Sequence, residues 1–195
     1  MKKLIISLLI LRCLSDCYAQ ETHDGYQNFP VVVSLQFHSF SMPFKRIGDH
    51  FKNVGIGLGT EISHSGGSQQ WAQSIQVVWH RNKTMGNGIQ LYTQAIYRPE
   101  ITNDLFGEIK LGVGYQFLYR PVDAYRFKNG TWESVGRKGK GMWMFPVNIG
   151  AGTVVGGEPL TTIALNYQWM ILKGYNTDVP LFPQSTIILG SRSHQ

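Results

Sequence analysis

Five charged residues have the types and spacing that chemistry would need. Glu61, Arg98, Glu108, Lys110 and Arg120 each stand on the polar side of a segment whose residues alternate apolar and polar. Glu108 and Lys110 are two residues apart, so an extended chain turns both to one face, and Arg98 ends the preceding segment. Opposite charges gathered on a buried face must pair and hydrogen-bond. The expectation is a structural network of ion pairs that fills an interior; the sharper alternative is an ion path through it. A second group is His38, flanked by Ser39 and Ser41, with His80 farther along. A serine can transfer acyl groups when a histidine reaches its hydroxyl and a carboxylate orients that histidine. Without those partners such a histidine is only a polar residue at a rim. His23, His38, His50, His64, His80 and His194 are scattered, without the short repeats of zinc ligation, so no metal or cofactor is expected. Gly55-x-Gly57-x-Gly59 lies inside an alternating segment and reads as close packing, not as a phosphate loop. Arg137, Lys138 and Lys140 make a basic loop tip that would attract an anionic surface.

Strands must position these residues. Period-2 alternation recurs over Val31–Ser41, Asn53–His64, Trp71–Arg81, Gly88–Arg98, Leu105–Arg120, Trp143–Val154, Leu160–Leu172 and Ser185–Arg192. Leu105–Arg120 is the clearest: Ile109, Leu111, Val113, Tyr115, Phe117 and Tyr119 oppose Glu108, Lys110, Gly112, Gly114, Gln116 and Arg120. Every proline except Pro146 falls outside these segments, and Pro146 predicts a bulge or an unpaired position. The connections alternate as well. Ser65–Gln70, Pro99–Asp104 and Val155–Pro159 are short; Met42–Lys52, Pro121–Met142 and Lys173–Gln184 are longer, with Asn82–Asn87 the short member of that set. Short turns at one end and longer loops at the other are the pattern of an antiparallel up-and-down transmembrane β-barrel of about eight strands.

Alternation alone does not say which face is outside. A soluble lipocalin-like carrier turns its apolar face inward around a ligand. Three features favour an outward apolar face. Trp79, Tyr119, Trp143, Phe145 and Trp169 cluster at the long-loop ends of the segments, and Trp71, Tyr97 and Phe106 at the other ends, as rings at a headgroup layer would. Glycines recur on the polar face, where a narrow lumen leaves little room. That face carries glutamine, asparagine and serine more than charge, unlike a solvated surface.

Composition agrees with this reading. The 195 residues include 22 glycines, 12% aromatics and 15% charged residues. That is too aromatic and too sparsely charged for a disordered chain. Met1–Gln20 opens with Lys2 and Lys3, continues through the apolar Leu4–Leu11, and offers a cut after Ala19, which is the form of a secretory signal peptide. Residues 1–19 are therefore expected to be removed, with 20–30 a short periplasmic segment and 31–195 the barrel. Lys2, Lys3 and Arg12 leave with the leader, so the net charge of +6 is partly its own and does not imply nucleic acid. Cys13 and Cys17 leave too, so the mature chain has no disulfide framework. Asn129-Gly130-Thr131 matches a glycosylation acceptor, which the bacterial look of the leader discounts.

Three segments carry a resemblance: Ser34–Pro43, Asn53–Glu61 and Gly107–Tyr115. With them the mature chain resembles the small eight-stranded outer-membrane β-barrel proteins of Gram-negative bacteria, most of all poorly characterised barrels of the Bacteroidetes type. The resemblance implies a monomer in the bacterial outer membrane, surrounded by lipid and lipopolysaccharide and inserted by the barrel assembly machinery. Such barrels usually finish on an aromatic residue, whereas this sequence finishes Ser193-His194-Gln195. The implied function is a structural or surface-interaction role, with a filled polar lumen and no general pore. The alternative within the resemblance is a lipid A-modifying acyl hydrolase or acyltransferase, although the His-x-Ser-Asn type pattern of such deacylases is missing; the alternative outside it is the soluble carrier.

Overall fold

The structure, a computed structural model, describes residues 29–39, 47–65, 69–82, 86–119, 123–136, 139–155, 161–174 and 180–193. Residues 1–19, the expected signal peptide, and most of the 20–30 segment lie outside them. Ten strands run in chain order: β1 Val31–Ser39, β2 Val54–Ser63, β3 Gln69–Arg81, β4 Asn87–Pro99, β5 Leu105–Tyr119, β6 Ala124–Lys128, β7 Thr131–Gly136, β8 Lys140–Val155, β9 Thr161–Lys173 and β10 Leu181–Ser193. β1, β2, β3, β4, β5, β8, β9 and β10 form a closed antiparallel barrel, and β6 pairs only with β7. Closure comes from β1 against β10, with Val31 opposite Ser193 and Ser39 opposite Ser185. Closure leaves no strand edge to seek another partner.

The alternation becomes inside and outside. On β3, Trp71, Ile75, Val77 and Trp79 are exposed while Ala72, Ser74, Gln76, Val78 and His80 are buried. On β5, Leu111 is 56% exposed and Lys110 is 7%. The apolar faces therefore point outward all round the barrel, which is the reverse of what a soluble carrier needs. Trp71 and Trp79 stand eight residues apart, roughly 26 Å along a strand, on the scale of the ~25 Å apolar band of an outer-membrane barrel.

Three differences from the sequence reading have physical causes. Phe106 is 7% exposed and points inward, because it shares the parity of Glu108 and not that of Ile109. Pro183 lies inside β10, where it pairs with Ile171 of β9, but beyond the last β1 partner at Ser185. A proline there removes no ladder bond on the β1 side. The long connection between β5 and β8 holds the β6–β7 hairpin, turned by Asn129 and Gly130 at φ of 51° and 82°. Asn-Gly with two positive φ values is the type I′ signature and the strongest short hairpin signal. Pro146 behaves as expected: β5 and β8 pair from Leu105 to Leu111 and again from Gly114, with no partner between them for Pro146.

The inward glycines are a steric requirement of this narrow barrel. A methyl group on Gly114 would fall against Cβ of Tyr92 and the carbonyl of Leu91, within 2.5 Å of the latter, whereas at Gly190 the nearest atoms are 4.0 Å away. Gly114→Ala should cost about 1–3 kcal/mol, the range for forcing extra volume into a packed interior. Gly190→Ala should be close to neutral. Guanidinium unfolding of both variants in lipid vesicles checks this, and equal midpoints would contradict the close contact at Gly114.

Candidate functional site

The interior is layered along the barrel axis. The charged layer sits at the short-turn end, because Glu61 and Arg98 close β2 and β4, Glu108 opens β5 and Arg192 closes β10. Arg98 is the hub. Its Nε donates to Glu108 Oε1 at 2.9 Å, its Nη2 also bonds that oxygen, and the same Nη2 donates to Glu61 Oε2 at 3.1 Å. Lys110 Nζ lies 2.9 Å from Glu108 Oε2, and Asn166 Nδ2 donates to that oxygen at 3.0 Å. Arg192 Nη1 donates to Glu61 Oε2 at 2.9 Å. The Arg98 guanidinium lies over the Phe106 ring at 5.3 Å. All five charged groups are buried. Burial raises the cost of an unpaired charge, so each carboxylate is held by two cations.

The structure thus brings together Glu61, Arg98, Glu108 and Lys110. It adds Arg192, the end of the last alternating segment, which the sequence alone does not join to the network. The signal was available only in the register, since β1–β10 closure carries Arg192 round to Glu61. Arg120, Arg137 and Lys138 lie outside the described residues. Lys140 opens β8 opposite Leu118 and is half-buried, so it is a strand residue and not part of a free tip. A cavity of about 30 Å³ lies among Arg98, Glu108, Lys110, Asn166 and Arg192, enough for a water or two. A wider space of about 360 Å³ opens beyond it toward the short turns, past Phe106, Glu100 and Asp104.

Above the charges comes a layer of amides. Tyr92 Oη donates to Gln76 Oε1 at 2.9 Å, Gln90 Nε2 to Gln116 Oε1 at 3.1 Å, and Gln94 Nε2 to Gln168 Oε1 at 3.3 Å. The interior then turns apolar toward the long loops, with Val78, Leu118, Met142, Met144, Met170 and Leu172 all buried together. The lumen is filled, and its third layer mixes these apolar side chains with the buried His38, His80 and Gln184. The sequence masked the third because Met142–Phe145 and Trp169–Leu172 are apolar on both faces, which erases the period-2 signal.

His38 and His80 also point inward, each 2% exposed, with ring centroids 4.8 Å apart. Asn82 Nδ2 and His38 Nε2 are 3.3 Å apart. Ser41 lies outside the described residues. A Ser/His contact does exist elsewhere: His50 Nε2 is 2.8 Å from Ser185 Oγ. His50 belongs to a 3-10 helix, Ile47–Lys52, that packs over the β1–β10 seam. Both residues are fully buried, so an acyl chain has no route to the hydroxyl. Ser185 shares the outward parity of Ile187 and Leu189, so the contact pins the helix against the outside of the seam, where Phe51 also meets Phe37 at 5.2 Å. His38 and His80 do not reach the outer wall, where a lipid-modifying site would need them; His50 lies against that wall beside Tyr167, at 6.2 Å between ring centroids, but its serine partner is covered. Among the described residues no group of three or more His, Cys, Asp or Glu could hold a metal ion.

No protein-family model matches this chain, and no curated protein matches it. Solved structures do. The chain is similar to the crystal structure of Neisserial surface protein A (NspA), with a TM-score of 0.56 and 12% identity, covering 86% of this chain and 97% of that one. It is also similar to the crystal structure of Ail, the attachment invasion locus protein of Yersinia pestis, with a TM-score of 0.45 and 11% identity, covering 87% and 99%. Nothing in these comparisons supports the Bacteroidetes-type affinity drawn from the three segments. At 12% identity the likeness to NspA is one of fold: a small, closed, antiparallel β-barrel of eight strands.

Proposed function

We propose that the chain is a bacterial outer-membrane protein whose barrel is a sealed, rigid platform and whose work is surface interaction through its long-loop end. The observation that carries this is the outward apolar belt on a closed barrel with the charges paired inside. In water such a belt would be an aggregation hazard; in lipid it is the solvated face. The leader over residues 1–19 supports export, and the fold shared with a protein named for the neisserial surface points the same way. A lumen filled by charged, amide and apolar layers supports a non-porin role, as eight strands leave room only for side chains. Outer-membrane lipid around the belt, lipopolysaccharide near Arg137 and Lys138, and the barrel assembly machinery are the partners this reading carries, with the barrel as a monomer.

An epitope inserted at the Asn129–Gly130 turn tests the reading. It should be labelled by antibody on intact cells while the protein fractionates with the outer membrane. An epitope reached only after lysis would overturn it.

A further inference from the structure

The β6–β7 hairpin has a face that nothing in the described chain covers. Antiparallel partners share a face. Phe127 opposite Trp132, with Tyr125 two residues away, makes one side aromatic; Arg126 opposite Glu133 and Lys128 opposite Thr131 make the other side polar. The Phe127 and Trp132 rings meet at 5.3 Å, tilted by 60°. Yet Tyr125, Phe127 and Trp132 are 62%, 59% and 69% exposed. A lone two-stranded hairpin is marginal in water, so an exposed aromatic face on one calls for an occupant.

Position and charge say which occupant. The hairpin hangs from β5 and β8 by residues 120–123 and 137–139, so its base stays within about 14 Å of the strand ends. Those ends carry the upper aromatic rim of the belt. Phe117 and Tyr119 meet edge to face at 4.9 Å, and Tyr115 and Trp143 do so at 5.6 Å. The hairpin is therefore tethered beside an aromatic layer that faces outward. The sequence from 120 to 138 carries Arg120, Arg126, Lys128, Arg137 and Lys138 against Asp123 and Glu133. Aromatic residues on one face and basic residues on the other are the make-up of an element that lies in the interface of an anionic membrane.

We infer that the β6–β7 hairpin lies on the outer leaflet, with Tyr125, Phe127 and Trp132 in the headgroup–acyl boundary and its basic residues on anionic lipid headgroups. This rests on the outer-membrane reading above, and the test separates the two. The full protein, with and without Trp132→Phe, is refolded into phosphatidylcholine vesicles with or without phosphatidylglycerol, using brominated acyl chains as quencher. Band mobility in unheated SDS reports insertion in the same samples. In inserted protein, the Trp132 difference emission should fall about twofold on bromination, and more when phosphatidylglycerol is present, as expected for an interfacial aromatic held partly by charge. The variant Arg126→Glu/Lys128→Glu should insert normally and lose the phosphatidylglycerol dependence. Inserted protein whose Trp132 ignores bromination and is quenched by aqueous acrylamide would overturn the inference alone and leave the face to a soluble partner. Failure to insert at all would overturn the reading beneath it.

Discussion

Glu108→Gln should destabilise the barrel by about 3 kcal/mol, at the lower end of the range for breaking a buried ion pair. Glu108 accepts from Arg98, Lys110 and Asn166. The described cluster sets Arg98, Lys110 and Arg192 against Glu61 and Glu108, so it already holds one more cation than anion. The amide keeps the side-chain shape, removes a negative charge and leaves Lys110 without its carboxylate. The widened space beside Arg98 and Arg192 lets water in, which keeps the cost from the top of the range. Lys110→Gln is the opposite case. It brings the cations and carboxylates to equal number and leaves Glu108 on Arg98, so its cost should stay within about 1 kcal/mol, the net worth of an ordinary hydrogen bond. The double variant should recover most of the loss, because Lys110 no longer needs a partner; a double-mutant cycle in vesicles reads this as coupling. Equal losses from both single variants would show that charge balance does not govern the cluster.

Leu111→Arg should cost about 2–4 kcal/mol in a bilayer, the range for arginine at the midplane of a lipid-facing strand. Leu111 is 56% exposed and lies near the middle of β5. Ile101 is as exposed, at 59%, but sits in the turn between β4 and β5. Ile101→Arg should therefore be almost free, within about 0.5 kcal/mol, as for most surface substitutions. Exposure alone would make the two variants alike. Only a slab of hydrocarbon around the strand middles separates them. Guanidinium unfolding in vesicles, followed by tryptophan emission, measures the difference, and matching midpoints would place β5 in water.

Much of this architecture was legible because the lumen and the lipid impose opposite demands on successive residues. Leu105–Tyr119 shows that conflict at almost every step, so its strand and its inward set could be read directly. Charge pairing between Glu108, Lys110 and Arg98 was legible too, since those residues lie on adjacent strands joined by a short turn. What depended on closure was not. The bond from Arg192 to Glu61 joins the last strand to the second across a seam that no local pattern records. The contact between His50 and Ser185 is hidden for the same reason, as it spans 135 residues. The apolar layer of Met142, Met144, Met170 and Leu172 escaped because both faces of those stretches are apolar. The β6–β7 hairpin, by contrast, was written locally. Tyr125, Phe127 and Trp132 alternate around Asn129-Gly130, and a strong turn signal was passed over for a glycosylation acceptor.

The most direct test of the central claim is the mobility in SDS gels of the protein taken from the outer-membrane fraction, unheated against boiled. A closed barrel with no free strand edge resists the detergent until heated. The account predicts a compact, faster band in the unheated lane that moves to the full-length position on boiling. A single unshifted band from the soluble periplasm would contradict it, because the outward apolar belt would then have no lipid to face.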